Sequence, residues 1–284
     1  MENGGKKTTI PRRTAEGMLL AAAFFWGWTF PVMRGALAEI PVFALLFLRF
    51  ALAAALVLAI SRRLPPLASW RFGGLLGVAL FAIFAFQTWG LVFTSSANSA
   101  FITGLNVVWV FLLSPGGRRR ALLPACLAVA GLWLMTSPSA DSLNTGDFLT
   151  LVCSVFIALH ILLLARLDKS ASSGDMAFIQ FASVAAFSAA CSAVFEPSLL
   201  PAKWSGELIF ALILTAGGAT VFSFWAQTHY QRHTTPVRAG LIFISEPVFA
   251  AIFAAGFYAE KMPPSAWPGA ALILAAMILA VRRQ

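Results

Sequence analysis

The 284-residue chain is both apolar and basic: 60% of its residues are hydrophobic, only 11% are charged, and its formal net charge is +9. A mean hydropathy of +0.84 excludes a water-soluble domain of this size, because such a surface would aggregate outside a lipid bilayer. In a bilayer every backbone amide must be paired within the protein, and the apolar stretches here run continuously instead of alternating with polar residues. This pattern favours helices over a closed barrel.

Ten transmembrane helices are predicted, because a span needs roughly 20 mostly apolar residues and charged residues, Gly and Pro separate ten such stretches. The connections are too short to hold a soluble domain, so any activity must lie within the helical bundle, which excludes most enzymes. The predicted spans cover residues 16–38, 41–60, 72–92, 97–113, 121–137, 146–166, 176–195, 207–228, 236–258 and 266–281.

The basic residues are concentrated on one side of the predicted bundle, which argues against nucleic acid as a partner. If the N-terminus is cytoplasmic, sixteen Lys and Arg residues are cytoplasmic and three lie on the other side, Arg34, Lys203 and Lys261. Short loops follow such a positive-inside bias. The sequence therefore predicts a multi-pass protein of a bacterial-type inner (plasma) membrane with both termini in the cytoplasm.

The two halves of the chain carry an internal repeat. The stretch TSSANSAFITGLNVVWVFLL at 94–113 aligns without gaps on HTTPVRAGLIFISEPVFAAI at 233–252, which pairs Asn106 with Ser245. Because five is an odd number, two copies of a five-helix unit enter the membrane in opposite directions, giving the inverted repeat that alternating-access carriers build around a central cavity. We therefore predict a cytoplasmic tail at 1–15, a first repeat at 16–137, a linker at 138–145 and a second repeat at 146–284.

Four segments together resemble the drug/metabolite transporter superfamily, in its ten-helix metabolite exporter (EamA-like) branch. They are WGWTFPVMRGAL from Trp26, LLFLRFALAAAL from Leu45, TSSANSAF from Thr94 and LIFISEPVFAAIFAAGFYAEK from Leu241. The resemblance implies a ten-helix fold with a cavity open to one side at a time, and the aromatic and neutral amino acid exporters are the nearest likeness. The branch often has a proline in the fourth span and an acidic residue after it, whereas GLNVVWVFLL here precedes SPGGRRRALL. This departure predicts a short or irregular fourth helix at its cytoplasmic end.

Three ionisable residues lie at membrane depth, where a charge costs roughly 2.5–3.5 kcal/mol on insertion scales and needs a partner or a purpose. Glu246 precedes Pro247, which cannot donate a backbone hydrogen bond to the carbonyl of Phe243. Glu246 could bind an ammonium group or a proton, or it could tie two helices together. His160 could titrate near neutrality or could simply be hydrogen-bonded. For Arg49 a structural role is favoured, because the second helix of the resembled fold is peripheral and Arg can snorkel.

Neutral amides and aromatic rings indicate the kind of solute. Amides within spans can face a wet cavity, or they can merely form interhelical hydrogen bonds. Aromatic walls with sparse amides suit a neutral or zwitterionic solute with an apolar side chain. The predicted substrate-binding residues are Trp26, Phe30, Gln87, Trp89, Asn98, Phe101, Asn106, Trp109, His160, Trp225, Gln227, Phe243 and Glu246, and the predicted flex points are Pro31, Gly104, Gly240 and Pro247.

The sequence therefore predicts a transporter that exports small neutral or zwitterionic metabolites, most of all aromatic or neutral amino acids, by alternating access. Phosphate-bearing solutes are disfavoured, because Arg49 is the one basic residue at mid-span. No HExxH or GxSxG motif indicates an enzyme, and no cofactor or metal is expected. The expected partners are a small-molecule substrate and the lipid bilayer, and the oligomeric state stays open, a monomer included. The alternatives are an intramembrane or lipid-modifying enzyme and, third, a channel-like or scramblase activity.

Overall fold

The computed structural model is all-helical over the residues that it describes, which are 10–94, 99, 102–114, 118–136, 144–168, 170–258 and 264–282. Within those ranges the chain forms ten helices, as hydropathy predicts. They are α1 Arg12–Ala36, α2 Val42–Ser61, α3 Leu67–Gly90, α4 Asn106–Leu113, α5 Arg118–Thr136, α6 Thr145–Ala165, α7 Ser173–Phe195, α8 Gly206–His233, α9 in two parts (α9a Pro236–Phe243 and α9b Glu246–Tyr258) and α10 Ala266–Arg282.

Six of the described helices are long and apolar enough to cross a membrane, namely α2, α3, α6, α7, α8 and the Pro236–Phe253 part of α9. Shorter apolar segments lie in α5 and α10 and at Ile102–Leu113, which includes α4. α4 ends at Leu113, before the SPGG segment, where the predicted fourth span also ends; that its cytoplasmic end is short or irregular stays a prediction.

Prolines set the starts of the first three helices. Pro11, Pro41 and Pro66 precede α1, α2 and α3 with extended backbone angles, and a proline has no amide of its own to leave unpaired at a helix start. α1 and α3 consequently begin several residues before the apolar spans that predict them. α6 begins instead with a capping box, in which the side chains of Asn144 and Asp147 each accept from the other's backbone amide.

The most extensive helix contacts join the two halves to each other. α5 packs on α10 and α2 on α7, while α3 packs on α6 and α7, and α1 packs on α8 and α9b. Each contact has a counterpart when every helix is replaced by the helix at the same position in the other half. The α3–α6 contact then corresponds to the α8–α1 contact, and the α4–α6 contact corresponds to the α9–α1 contact. The fold is therefore two repeats that interlock around a common centre.

Glycines allow the interlocked helices to approach closely. An added Cβ on Gly73 or Gly77 of α3 would lie 2.9 Å from Ile179 or 2.5 Å from Ser183 of α7. This small-residue pair serves packing inside the chain, between its two halves.

Candidate functional site

A cavity lies at the centre of the bundle, where α1, α2, α3, α4, α6, α8 and α9 meet. The space between its walls is about 890 Å³, including the part open to solvent. Among the residues that the structure describes, the lining divides evenly into apolar and polar residues. It consists of Trp26, Thr29, Met33, Leu37, Arg49, Ile83, Phe84, Gln87, Thr88, Leu91, Thr103, Asn106, Ile157, His160, Phe224, Gln227, Phe243 and Glu246.

Two helices at this centre are interrupted at equivalent positions of the repeat. A turn separates helical residues 102–104 from α4, and another separates α9a from α9b. Asn106 Nδ2 donates to the Thr103 carbonyl at 2.9 Å, and Ser245 Oγ donates to the Ile242 carbonyl at 2.7 Å. The alignment that pairs Asn106 with Ser245 also pairs Thr103 with Ile242. Each side chain therefore satisfies the corresponding carbonyl of its broken helix.

The break in α9 presents Glu246 to the cavity. α9a ends at Phe243, as the missing amide of Pro247 predicts, and α9b begins at Glu246. An added Cβ on Gly27 of α1 would lie 2.7 Å from the Glu246 carbonyl oxygen, so α1 passes directly beside the break. Among the described residues, the Glu246 carboxylate has neither a hydrogen bond nor an ion pair.

A π-helical segment of α8, Thr215–Phe222, orients two lining side chains. The Ala219 carbonyl accepts from Trp26 Nε1, and Thr220 Oγ1 accepts from Arg49 Nε, both at 2.8 Å. π-helical turns are rare and often occur at functional sites. Here the segment holds an indole from α1 and a guanidinium from α2 at the cavity wall.

Arg49 lies at the centre of the bundle, so the predicted peripheral position of its helix was wrong. α2 packs against α7 and α8, and the Arg49 side chain is buried with 2% of its surface exposed. Its Nη1 contacts Met33 Sδ at 4.0 Å, and its Cζ lies 4.8 Å from the centre of the Phe84 ring. No carboxylate of the described residues lies within ion-pair distance of it.

His160 lines the cavity and also has the hydrogen-bond partner that the alternative interpretation requires. Its Nε2 lies 2.7 Å from Gln180 Oε1, while Gln180 Nε2 donates to the Met176 carbonyl at 3.1 Å. The second bond orients the amide of Gln180, so Nε2 of His160 carries the proton. His160 therefore ties α6 to α7.

Three buried oxygens at the cavity have no hydrogen-bond partner among the described residues: Asn106 Oδ1, Gln227 Oε1 and Thr103 Oγ1. Gln227 Nε2 donates to Gln231 Oε1 at 3.0 Å, and Gln231 in turn donates to the Ile161 carbonyl at 2.6 Å. The amide nitrogen of Gln227 thus serves an interhelical tie, but its oxygen does not. A buried acceptor without a donor costs about 1–3 kcal/mol, which donor groups of a solute would recover.

Seven of the predicted binding residues line the cavity, and three aromatic ones lie elsewhere. Trp89 is 43% exposed, Trp109 Nε1 donates to Ser154 Oγ at 3.0 Å, and Trp225 stacks on His229 with ring centres 5.5 Å apart. Asn98 and Phe101 lie outside the described residues, as do the side chains of Phe30 and Pro31.

Apart from Arg49 on α2, the lining residues that were not predicted lie on the same helix faces as residues that were. From Trp26 the lining continues at steps of three and four residues to Thr29, Met33 and Leu37, along one face of α1. The same spacing through Gln87 selects the lining face of α3. The 3.6-residue period, applied to each predicted polar or aromatic residue, would have found these positions.

Three of the four predicted flex points lie at or near the breaks. Gly104 immediately precedes the turn before α4, Pro247 follows the break in α9, and Gly240 lies one turn before that break. An added Cβ on Gly240 would lie 3.9 Å from Asn106 Oδ1, so α4 and α9a approach each other here. α1 is helical through residue 31. Flexing at these points stays a prediction.

A carboxylate near the start of the helix holds each of α1 and α6. Glu16 Oε1 accepts from Arg238 Nη1 at 2.6 Å and from Thr234 Oγ1 at 3.0 Å, and Arg238 is buried. In the other half, Asp147 Oδ1 accepts from Thr94 Oγ1 at 2.5 Å. The first carboxylate makes a buried ion pair between the two halves, whereas the second accepts from a neutral hydroxyl.

The cavity extends away from the Glu16–Arg238 ion pair. Its α1 lining begins at Trp26 and continues past the end of the helix to Leu37, and its α3 lining continues past the end of that helix to Leu91. Residues 12–25 contribute nothing to the lining. The cavity therefore extends toward the C-terminal ends of α1 and α3.

Comparison with known proteins gives matches over nearly the whole chain. The model of the EamA-like transporter family matches twice, at residues 13–137 and 144–282. An uncharacterized transporter of Archaeoglobus fulgidus is 31% identical over 277 residues, covering 95% of this chain and 86% of that protein. A solved structure, described as the crystal structure of a protein, is similar to this chain with a TM-score of 0.78 at 19% identity. The match covers 95% of this chain and 97% of that one. At that identity the likeness concerns the fold alone.

Proposed function

Because the chain belongs to the EamA-like transporter family, we propose that it exports small neutral or zwitterionic metabolites, with aromatic and neutral amino acids as the preferred class. The observation that carries this proposal is the central cavity, which combines an aromatic wall with buried amide oxygens that have no partner among the described residues. Such a wall favours an apolar side chain, and such oxygens favour a solute that brings donors.

The aromatic wall is centred on one indole. The Trp26 ring lies 5.1 Å, centre to centre, from the rings of both Phe224 and Phe243, and Phe224 lies 5.8 Å from Phe84. A flat side chain inserted among these rings would gain edge-to-face contacts. The amide oxygens of Asn106 and Gln227 would accept from its ammonium group.

Transport by alternating access is supported by the asymmetry of the two ends. The cavity extends toward the C-terminal ends of α1 and α3, and the Glu16–Arg238 ion pair holds the other end. We propose that the two repeats are inverted and that they rock about the breaks in α4 and α9 to expose the cavity to each side in turn.

The proposed orientation has both termini in the cytoplasm of a bacterial-type inner membrane, and cysteine labelling tests it. Ser170 and Ser198 are exposed on the connections at the two ends of α7. In a background without native cysteines, a membrane-impermeant maleimide applied to intact cells should label Ser198→Cys and spare Ser170→Cys. The reverse pattern would place the termini outside.

The decisive experiment for function is flux through proteoliposomes, with a panel of labelled amino acids and with and without a pH gradient. Saturable counterflow of aromatic and neutral amino acids is expected, and a response to the gradient would indicate proton coupling. Trp26→Ala should raise KM roughly tenfold, whereas Trp225→Ala, outside the cavity, should leave it unchanged. Non-saturating flux would indicate a channel or scramblase. Turnover of lipid or peptide without flux would indicate an enzyme.

A further inference from the structure

Two oppositely charged side chains face the same cavity without pairing. Arg49 reaches it from α2 and Glu246 from α9b, and neither has an ion-pair partner among the described residues. Charges in such surroundings are costly unless something compensates them. We infer, on the basis of the proposed function, that these two side chains bind the two charged groups of an α-amino acid. Arg49 binds the carboxylate, and Glu246 binds the ammonium group.

The surroundings of Arg49 leave an edge of the guanidinium for a carboxylate. Its faces are taken, because Cζ lies 4.8 Å from the Phe84 ring centre and 5.3 Å from that of Phe50. Its Nε is held by Thr220 in the π-helical segment. Nη2 has no hydrogen bond to the described residues, and the one contact of Nη1 is the weak one to Met33. A carboxylate binds such an edge through two parallel hydrogen bonds.

The hydrogen-bond acceptors of the cavity lie on helices other than α2, which carries Arg49. An ammonium group has three N–H donors, and the cavity offers it Asn106 Oδ1 from α4, Gln227 Oε1 from α8 and the carboxylate of Glu246 from α9b. The donor from α2 and these acceptors therefore suit a zwitterion better than an amine or an acid alone. A substrate that joins them would also connect helices of both halves.

The competing interpretation is that Arg49 only ties α2 to α8 through Thr220. The two interpretations differ in what they predict for ligands that share a phenyl ring but differ in charge. L-phenylalanine carries both charged groups, phenethylamine lacks the carboxylate, and 3-phenylpropionate lacks the ammonium group. If Arg49 has only a structural role, replacing it should weaken the binding of all three ligands alike.

The test is equilibrium binding of these three labelled ligands to the purified full-length protein. Wild type should bind L-phenylalanine at least about tenfold more tightly than either analogue. Arg49→Gln should weaken phenylalanine binding by about tenfold to a hundredfold and leave phenethylamine binding unchanged. Glu246→Gln should weaken phenylalanine binding and leave 3-phenylpropionate unchanged.

Two further variants keep the test interpretable. Arg49→Lys retains the charge but loses the planar fork, so it should weaken phenylalanine binding less than Arg49→Gln while still sparing phenethylamine; it replaces Arg49→Gln if that variant does not fold. Arg63→Gln is the matched control, because Arg63 pairs with Asp175 away from the cavity. This variant should leave the binding affinity for all three ligands unchanged.

The outcomes separate the inference from the proposed function. If wild type binds phenylalanine but both Arg49 variants weaken all three ligands equally, or keep the ratio of phenylalanine to phenethylamine, the carboxylate anchor is overturned and amino acid export stands. If wild type binds none of the three and moves no amino acid, the proposed substrate class fails and the inference fails with it.

Discussion

The N-terminal parts of α1 and α6, the first helices of the two repeats, are held by different interactions. On α1, Glu16 receives a buried guanidinium, Arg238, at 2.6 Å and the hydroxyl of Thr234. On α6, Asp147 receives the hydroxyl of Thr94. Removing one partner of a buried ion pair is more costly than removing a hydroxyl donor, which leaves a carboxylate with one bond fewer. The α1 end is therefore held more strongly.

This difference agrees with the direction of the cavity, which extends away from the stronger interaction. The Asp147 interaction lies beside Thr94, just after the C-terminal end of α3, and the Glu16 interaction lies near the N-terminal end of α1. Their unequal strengths favour the arrangement in which the α1 end is closed. Under the proposed alternating access, the ion pair between Glu16 and Arg238 must separate before the cavity opens at that end.

The largest effect is expected from Glu16→Gln, because it removes the carboxylate that the buried Arg238 contacts at 2.6 Å. A loss of about 3 kcal/mol from the closed arrangement is expected, measured as a lower melting temperature of the purified protein. Val237, 7% exposed at the same end, reports the opening, since Val237→Cys should react faster with a water-soluble maleimide in the Glu16→Gln background.

The control for this variant is Arg12→Gln. Arg12 lies 3.9 Å from the same carboxylate, but its side chain is 49% exposed, and exposed ion pairs contribute little. Equal labelling of Val237→Cys with and without Glu16→Gln would show that the ion pair does not close the α1 end.

An intermediate effect is expected from Gly27→Ala, which tests the contact of α1 with the break in α9. The new methyl group would lie 2.7 Å from the Glu246 carbonyl oxygen and 2.8 Å from the Ala250 amide nitrogen. Backbone atoms cannot rotate away, so a loss of about 1–3 kcal/mol is expected in thermal unfolding. Gly35→Ala is the matched control in the same helix, because nothing lies within 4 Å of its added Cβ. Equal melting temperatures for the two variants would contradict this close contact.

The smallest effect is expected from Asp147→Asn, which weakens the α6 interaction without leaving a buried charge. A loss of about 1 kcal/mol is expected in thermal unfolding, and Thr94→Val should reproduce most of it. If Asp147→Asn destabilised the protein more than Glu16→Gln does, the ranking of the two ends would be wrong.

The number of helices and the break in α9 could be predicted because their causes are local. Hydropathy separates ten apolar stretches, and Pro247 lacks the amide that would continue its helix. The break before α4 has no proline, and its clearest signal is the alignment of Asn106 with Ser245. The π-helical segment was not predicted, although the adjacent Gly217 and Gly218 are a common sign of an irregular helix.

The candidate site was predictable only in part, because its residues are positioned by partners far away in the chain. The cost of polar groups at membrane depth is enough to select Glu246, His160 and the amides. Trp26 is bound by Ala219, 193 residues later, and Glu16 by Arg238, 222 residues later. No local pattern contains such pairs, and Arg49 was misplaced because its partner also lies in the other half.

The interlocking of the halves has a consequence for how the protein is made. A ribosome delivers α1 to α5 to the bilayer before α7 and α10, the main partners of α2 and α5, have been synthesised. Arg49 enters the membrane 171 residues ahead of Thr220, which holds its Nε. The nascent first half must therefore wait in lipid, or inside the insertion machinery, with a charged helix and its packing faces uncovered. Correct folding of this chain therefore requires that the second half be inserted before the uncovered faces of the first half pack against something else.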